Sequence, residues 1–429
     1  MYIRRRKSFF GLLALLRHIE ADKDDIAAVA RCNQLILREI LHAEAALLRH
    51  RASQRELTRM LKTSRSAKAE AKALRTRLKR AAGHVSAQED AIFIWKCFGD
   101  ALAFLYLDKF SIKHAFFEVD KWGIKRGAGM LTGKSGLAGE LACLAHLTAD
   151  GIPAVLCDIT NILRYGDICM LGASDPHLIE VKSSNHLNQR AKRQVEKLGR
   201  LHDFMADDRA EPFRGAEGLV VRAQLDIPER TNVDALNACI ANAKAAGQAI
   251  ANPEPGVTFV AIYDRANYDA IFSGPAANAK LVFMLNSDKN DHAWAPYTPF
   301  LLTIHDPQHV LDFIEGRLYL IALIDTQPLC DAMADDEWAV RFKDDPNYSI
   351  QCVHRPSGAY LAVSNQFLSR AAYEFVSLAW IAESQRPSIA RMEAAIGDAP
   401  IPQQIAGHQA RLRAFVGEGD PWLEELGLA

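Results

Sequence analysis

Tyr165-Gly166-Asp167-Ile168-Cys169-Met170-Leu171-Gly172-Ala173-Ser174-Asp175-Pro176-His177-Leu178-Ile179-Glu180-Val181-Lys182 decides how this chain reads. Two short apolar runs, 168–171 and 178–181, flank a segment rich in turn-forming residues, which predicts a β-hairpin. On a strand, residues two apart leave the same face, so Glu180 and Lys182 project together. Hairpin pairing brings Asp167 opposite or diagonal to Glu180. The pattern places two carboxylates beside an ammonium. Carboxylates and backbone carbonyls are hard oxygen donors suited to Mg²⁺, with Mn²⁺ as a substitute. A lysine fixed nearby can orient a water or stabilise charge growing on a phosphate.

The surrounding order extends the pattern. Residues 137–149 read as a helix carrying Glu140, 152–159 as a strand, and 187–205 as a helix after the hairpin. A strand over 218–225 completes an α-β-β-β-α-β series. These residues resemble the PD-(D/E)XK nuclease superfamily, the restriction-endonuclease-like fold, over about 65 to 90 residues. The matching positions are Asp167 for the first acid, Glu180-Val181-Lys182 for the E-X-K, and Glu140 for the acid many members carry on the preceding helix. Gly166 stands where the named pattern has proline, and Asp158 rivals Asp167 for the first acidic position. The resemblance implies an α/β fold with a mixed central sheet and a Mg²⁺-dependent nuclease acting on nucleic acid, with DNA the expected polymer. It implies metal ligation by Asp167, Glu180 and the Val181 carbonyl, with Glu140 assisting, and a catalytic role for Lys182. The alternative is a non-catalytic nucleic-acid-binding or scaffold protein on the same fold.

The helix after the E-X-K carries Arg190, Arg193, Lys197 and Arg200 at three- and four-residue steps, so they share a face. In the superfamily that helix borders the active groove, so the resemblance implies that these four contact phosphates. Gly133-Lys134-Ser135 imitates the end of a phosphate-binding loop, but Ala128 stands where the Walker pattern needs glycine. A glycine-rich connection to the Glu140 helix is the simpler reading.

Composition sets the frame. With 49% apolar and 24% charged residues, the 429-residue chain has the composition of a soluble globular protein of two or three domains. Net charge is −1, but residues 1–80 hold 20 Lys and Arg against 8 Asp and Glu, which makes that end a candidate for an acidic partner. Eight scattered cysteines without zinc spacing fit a reducing cytoplasm. No apolar run reaches the roughly 20 residues needed to cross a bilayer, so no membrane association is expected. Arg4-Arg5-Arg6-Lys7 and the apolar run 9–16 imitate the start of a signal peptide, which Arg17, His18 and the acidic 20–25 stretch break.

Four segments follow: a basic helical, coiled-coil-like segment 1–83, an apolar helical connector 84–130, the nuclease-like core 131–264, and a mixed α/β region 265–429. Between Gly11 and Gly83 there is no glycine or proline, which predicts helix almost throughout. Its apolar seam is interrupted by polar residues, so it reads as a dimerising or nucleic-acid-contacting helix, or as a helix or helical hairpin lying on the body. Ser86-Ala87-Gln88-Glu89 has the form of a capping box opening a new helix. Farther on, a helix is expected over 231–250, strands over 257–263, 280–285, 300–304 and 317–324, and a long helix over 365–385.

Overall fold

The computed structural model describes residues 5–63, 68–182, 189–216, 218–222, 225, 227–264, 279–398 and 408–428. The chain is mixed α/β and forms two compact units, residues 1–223 with 290–302, and residues 224–289 with 303–429. The segments read as 1–83 and 84–130 thus share a unit with most of the segment read as the core.

The first unit opens with α1, Arg6–Ala21, which buries Phe9, Leu12, Leu13, Leu16 and Ile19 at helical spacing. Asp25 then accepts the Ala28 amide and starts α2, Ile26–Thr63. α3 runs from Lys68 to Tyr106 and packs against α2. Of the alternatives for the basic segment, the structure forms the helical hairpin. Its outer seam, Leu57, Leu74 and Ala81 with Leu61 and Leu78, is filled within the chain. The capping box at Ser86 opens no new helix, because α3 continues through Gly83. A mid-helix glycine costs about 1 kcal/mol, which packing along a helix this long outweighs.

After the short helix α4, Ser111–His114, the expected series appears as α5, Leu137–Ala149; β1, Ala154–Leu156; β2, Ile168–Met170; β3, His177–Ile179; and α6, Gln189–Asp207. The three strands form one antiparallel sheet in the order β1-β2-β3, with Ile168 paired to Ile179. The start of the sixth helix at Leu187 lies outside the described residues. A final pair, β4 (Arg209–Ala210) with β5 (Val220–Val221), forms a separate antiparallel ladder. This corrects the expected mixed central sheet, since every pairing among the described residues is antiparallel. The strand read over 218–225, part of which lies outside the described residues, turns back onto the end of α6 instead of joining β1–β3.

α2 also completes the sheet's edge. The buried Asn33 side chain donates to the Ala154 carbonyl (3.0 Å) and accepts from the Leu156 amide (3.2 Å), acting as a strand neighbour for β1. That satisfies backbone groups no fourth strand reaches.

In the second unit, α7 (Val233–Ala246) packs on β6 (Gln248–Glu254) and β7 (Val257–Ile262). With β8 (Leu281–Met284) and β9 (Tyr319–Ile324) these strands form an antiparallel sheet in the order β6-β7-β9-β8. β10 (Trp338–Phe342), β11 (Ile350–His354) and β12 (Tyr360–Val363) form another. Two expectations fail here. The run at 300–304, read as a strand, is the helical turn Phe300–Thr303 of the first unit, because a short apolar run carries no usable periodicity and Pro299 presets a turn. The long helix at 365–385 is broken into Asn365–Leu368, Arg370–Tyr373 and Leu378–Asp398, with Phe375 in the left-handed region at φ +55°. No described helix is long and apolar enough to cross a membrane.

Candidate active site

Gly166 sets the geometry of the hairpin. Its φ is +68°, and a Cβ there would lie 2.9 Å from the Ile179 carbonyl oxygen. Proline, fixed near φ −65°, is excluded at this position, which accounts for the departure from the family pattern. The next residue, Asp167, donates its amide to Ile179 O (2.8 Å), and its carboxylate Oδ2 accepts from the Val181 amide (2.9 Å). Asp167 and Glu180 therefore flank the Ile168–Ile179 pair at the same end of the hairpin. Lys182 Nζ donates to Glu180 Oε1 at 2.5 Å.

The charged centre is built around a residue the sequence reading treated as part of a connection. Lys134 Nζ lies 2.7 Å from Glu140 Oε1, 2.7 Å from Asp158 Oδ2 and 3.2 Å from Asp167 Oδ1. Three elements supply these carboxylates: the first turn of α5, the helical turn after β1, and the chain entering β2. Asp158, weighed as a rival to Asp167, stands beside it. Glu140 is 3% exposed, and burial raises its pKa, with the Asp167 charge adding to the effect against the Lys134 hydrogen bond. Burial opposes the charge on Lys134, but its bonds to Asp158 and Glu140 outweigh burial and raise its pKa above the ordinary lysine value.

Lys134 is held in place from α2. The buried Glu44 carboxylate accepts the Leu131 amide (2.9 Å), the Thr132 amide (2.7 Å) and the Thr132 hydroxyl (2.7 Å). The turn carrying Asp158 is held from α3. Buried Asp100 accepts the Asn161 and Ile162 amides at 2.6 and 3.0 Å, and Asn161 Nδ2 at 2.7 Å. Burial nevertheless lifts the Asp100 pKa to about 6. A Cβ on neighbouring Gly99 would lie 2.2 Å from Ile159 O, so only glycine lets α3 approach this turn so closely. Lys96, one helical turn earlier, faces the charges of Asp158, Asp100 and Glu44, and burial lowers its pKa.

The expected site residues thus divide. Glu140 and Asp167 share the Lys134 ammonium, and Val181 joins through its amide. Glu180 and Lys182 pair with each other. The three carboxylates are spaced for N–H···O contacts, longer than the 2.0–2.1 Å of Mg–O bonds. Among the described residues no group of three or more His, Cys, Asp or Glu side chains is set for a metal as it stands. The donor chemistry does fit a hard cation, and the ammonium marks a point where positive charge is stabilised by three carboxylates at once.

The basic face of α6 is partly committed elsewhere. Lys197 contacts Asp120 (2.5 Å) and Glu118 (3.1 Å), and Arg200 contacts Asp120 (2.5 Å) and the Pro212 carbonyl (3.2 Å). Arg193 is exposed and bonds only weakly to Gln189 O (3.4 Å), while the Arg190 side chain lies outside the described residues. The reading of Gly133-Lys134-Ser135 as a phosphate loop loses its lysine to the carboxylates. No signal short of the fold marks Lys134 or Glu44, because each reaches its partners across long stretches of chain. No protein-family model, curated protein or solved structure matches this chain.

Proposed function

We propose that this protein is a metal-dependent nuclease on a restriction-endonuclease-like core. The observation that carries the reading is the convergence of Glu140, Asp158 and Asp167 on one cation at the mouth of the hairpin bearing Glu180-Val181-Lys182. The helix-strand-strand-strand-helix order supports it. Asp167, Glu140 and Asp158 would hold Mg²⁺ or Mn²⁺, with Glu180 and the Val181 carbonyl beside them, once Lys134 swings out on its flexible stem. A divalent cation there supplies Lewis-acid activation of water and charge neutralisation at phosphate. Lys182 orients the attacking water or neutralises charge building on the phosphoryl oxygens. Glu140, kept partly protonated by burial, exchanges a proton readily near neutral pH.

The test is incubation with linear, circular and single-stranded DNA and with RNA, in Mg²⁺, Mn²⁺ or chelator. Lys182, with its side chain 31% exposed and one ion pair, is replaceable without loss of the fold. Lys182→Ala is expected to keep the wild-type melting temperature and lose cleavage by at least about a hundredfold. Full cleavage by that variant with Mg²⁺ refutes the assignment. One observation favours a second reading: Lys134 already neutralises the carboxylates, as it would in a non-catalytic nucleic-acid-binding module. Such a protein binds equally with and without chelator and releases no cleaved product.

A further inference from the structure

The outer half of the α2–α3 hairpin carries the strongest charge concentration in the molecule. Residues 49–80 contain 12 Lys and Arg against Glu56 and Glu70. Burial against the body ends at Leu47 on α2 and resumes at Ala91 on α3, and between them only Leu57, Leu74 and Ala81 are buried. The stretch is thus an arm held by its own narrow seam. Arg55, Arg59 and Lys62 on α2, and Lys68, Lys72, Arg75 and Lys79 on α3, are exposed and recur at three- and four-residue steps, one stripe on each helix. Arg59 pairs with Glu56. The others in these stripes make no ion pair among the described residues.

We propose that this arm is a phosphate-backbone clamp for duplex nucleic acid. Three observations select that partner. The arm contains no Phe, Tyr or Trp, so it lacks the stacking platforms that single-strand binders use. Its large exposed apolar side chains are Leu48 and Met60 alone among the described residues, so it has no apolar face to enter a lipid surface. At 1.5 Å per residue, 16 residues of each helix make the arm roughly 24 Å long, which matches about seven base pairs of duplex. The α6 face offers less, because Lys197 and Arg200 are held by Asp120. The proposal goes beyond the cleavage chemistry and does not depend on it.

The experiment uses the full chain in chelator, with a labelled duplex of about 20 base pairs read by fluorescence anisotropy across a salt series. Wild type is expected to bind with a log–log salt slope near −5, for five to six phosphates contacted. The variant Lys68→Gln/Lys72→Gln/Arg75→Gln/Lys79→Gln keeps good helix formers at exposed positions, and unchanged circular dichroism melting verifies its fold. It is expected to bind at least tenfold more weakly, with the slope reduced by about one per contact removed. Unchanged duplex affinity in the variant overturns the proposal. So does four-charge-dependent binding to phosphatidylserine vesicles or to single strands without duplex binding. Loss of Mg²⁺-dependent cleavage with duplex binding intact would count against the active-site reading alone. Retained cleavage with duplex affinity indifferent to the four charges would count against the arm alone.

Discussion

Replacing Lys134 by Met removes one positive charge from among three carboxylates while keeping an unbranched side chain of similar length. The ammonium lies 2.7, 2.7 and 3.2 Å from its partners, and the Lys134 side chain is 27% exposed. Removing one partner of a buried pair costs about 3–5 kcal/mol, and partial exposure puts this case at the lower end, about 3 kcal/mol. For a unit of this size that lowers the melting temperature by roughly 6–12 °C. The pH dependence has a definite sign. Glu140 is already raised by burial, and losing Lys134 raises the cluster further. An acid whose folded pKa exceeds its unfolded value supports stability below the unfolded pKa and loses that support as pH rises through the folded pKa. The deficit of Lys134→Met is therefore smallest near pH 5 and largest near pH 8. Mg²⁺ or Ca²⁺ should restore much of the lost stability in the variant and add little to wild type, because the cation substitutes for the ammonium. Thermal melts of both proteins at these pH values, with and without divalent cation, make the comparison. Equal melting temperatures at pH 8, or a deficit that shrinks as pH rises, refute the reasoning.

Further outcomes follow from the supports of the site. Gly99→Ala drives a Cβ against the Ile159 carbonyl, 2.2 Å away, and should cost about 2–4 kcal/mol in urea unfolding, with no loss refuting the close approach. Asp100 titrates near 6 because of burial, so its contribution is present below the ordinary carboxylate range and is lost as pH rises through about 6, on the order of 2–3 kcal/mol. Asp100→Asn should flatten the stability profile between pH 4 and 7, and an unchanged slope in urea titrations would show that Asp100 does not cause it. Glu44→Ala leaves two amides and a hydroxyl without their acceptor and should cost about 3 kcal/mol, with faster hydrogen exchange at Leu131 and Thr132. Exchange at wild-type rates would mean that Glu44 does not hold the loop.

Hydrogen-bond reach explains which parts of this protein were readable in one dimension. The hairpin at 168–179, the Glu140 helix and the helical N-terminal segment are products of turn chemistry, alternation and propensity, all of which act within a few residues. The same local logic misled at Ser86 and at 300–304, where capping residues and a short apolar run have two physical outcomes and packing chooses between them.

From the residues alone came the order of elements around the hairpin, the acids Glu140, Asp158 and Asp167, the Glu180/Lys182 pair and the basic charge of the first 80 residues. Tertiary structure alone decided that Lys134 enters the carboxylates, across 24 residues to Asp158 and 33 to Asp167, and that Glu44 anchors its loop from 87 residues away. It likewise assigned Lys197 to Glu118 and Arg200 to Asp120, some 80 residues distant. A charged side chain takes the partner that desolvation and geometry bring within about 3 Å, and that partner lies on a segment whose distance along the chain leaves no periodicity to read.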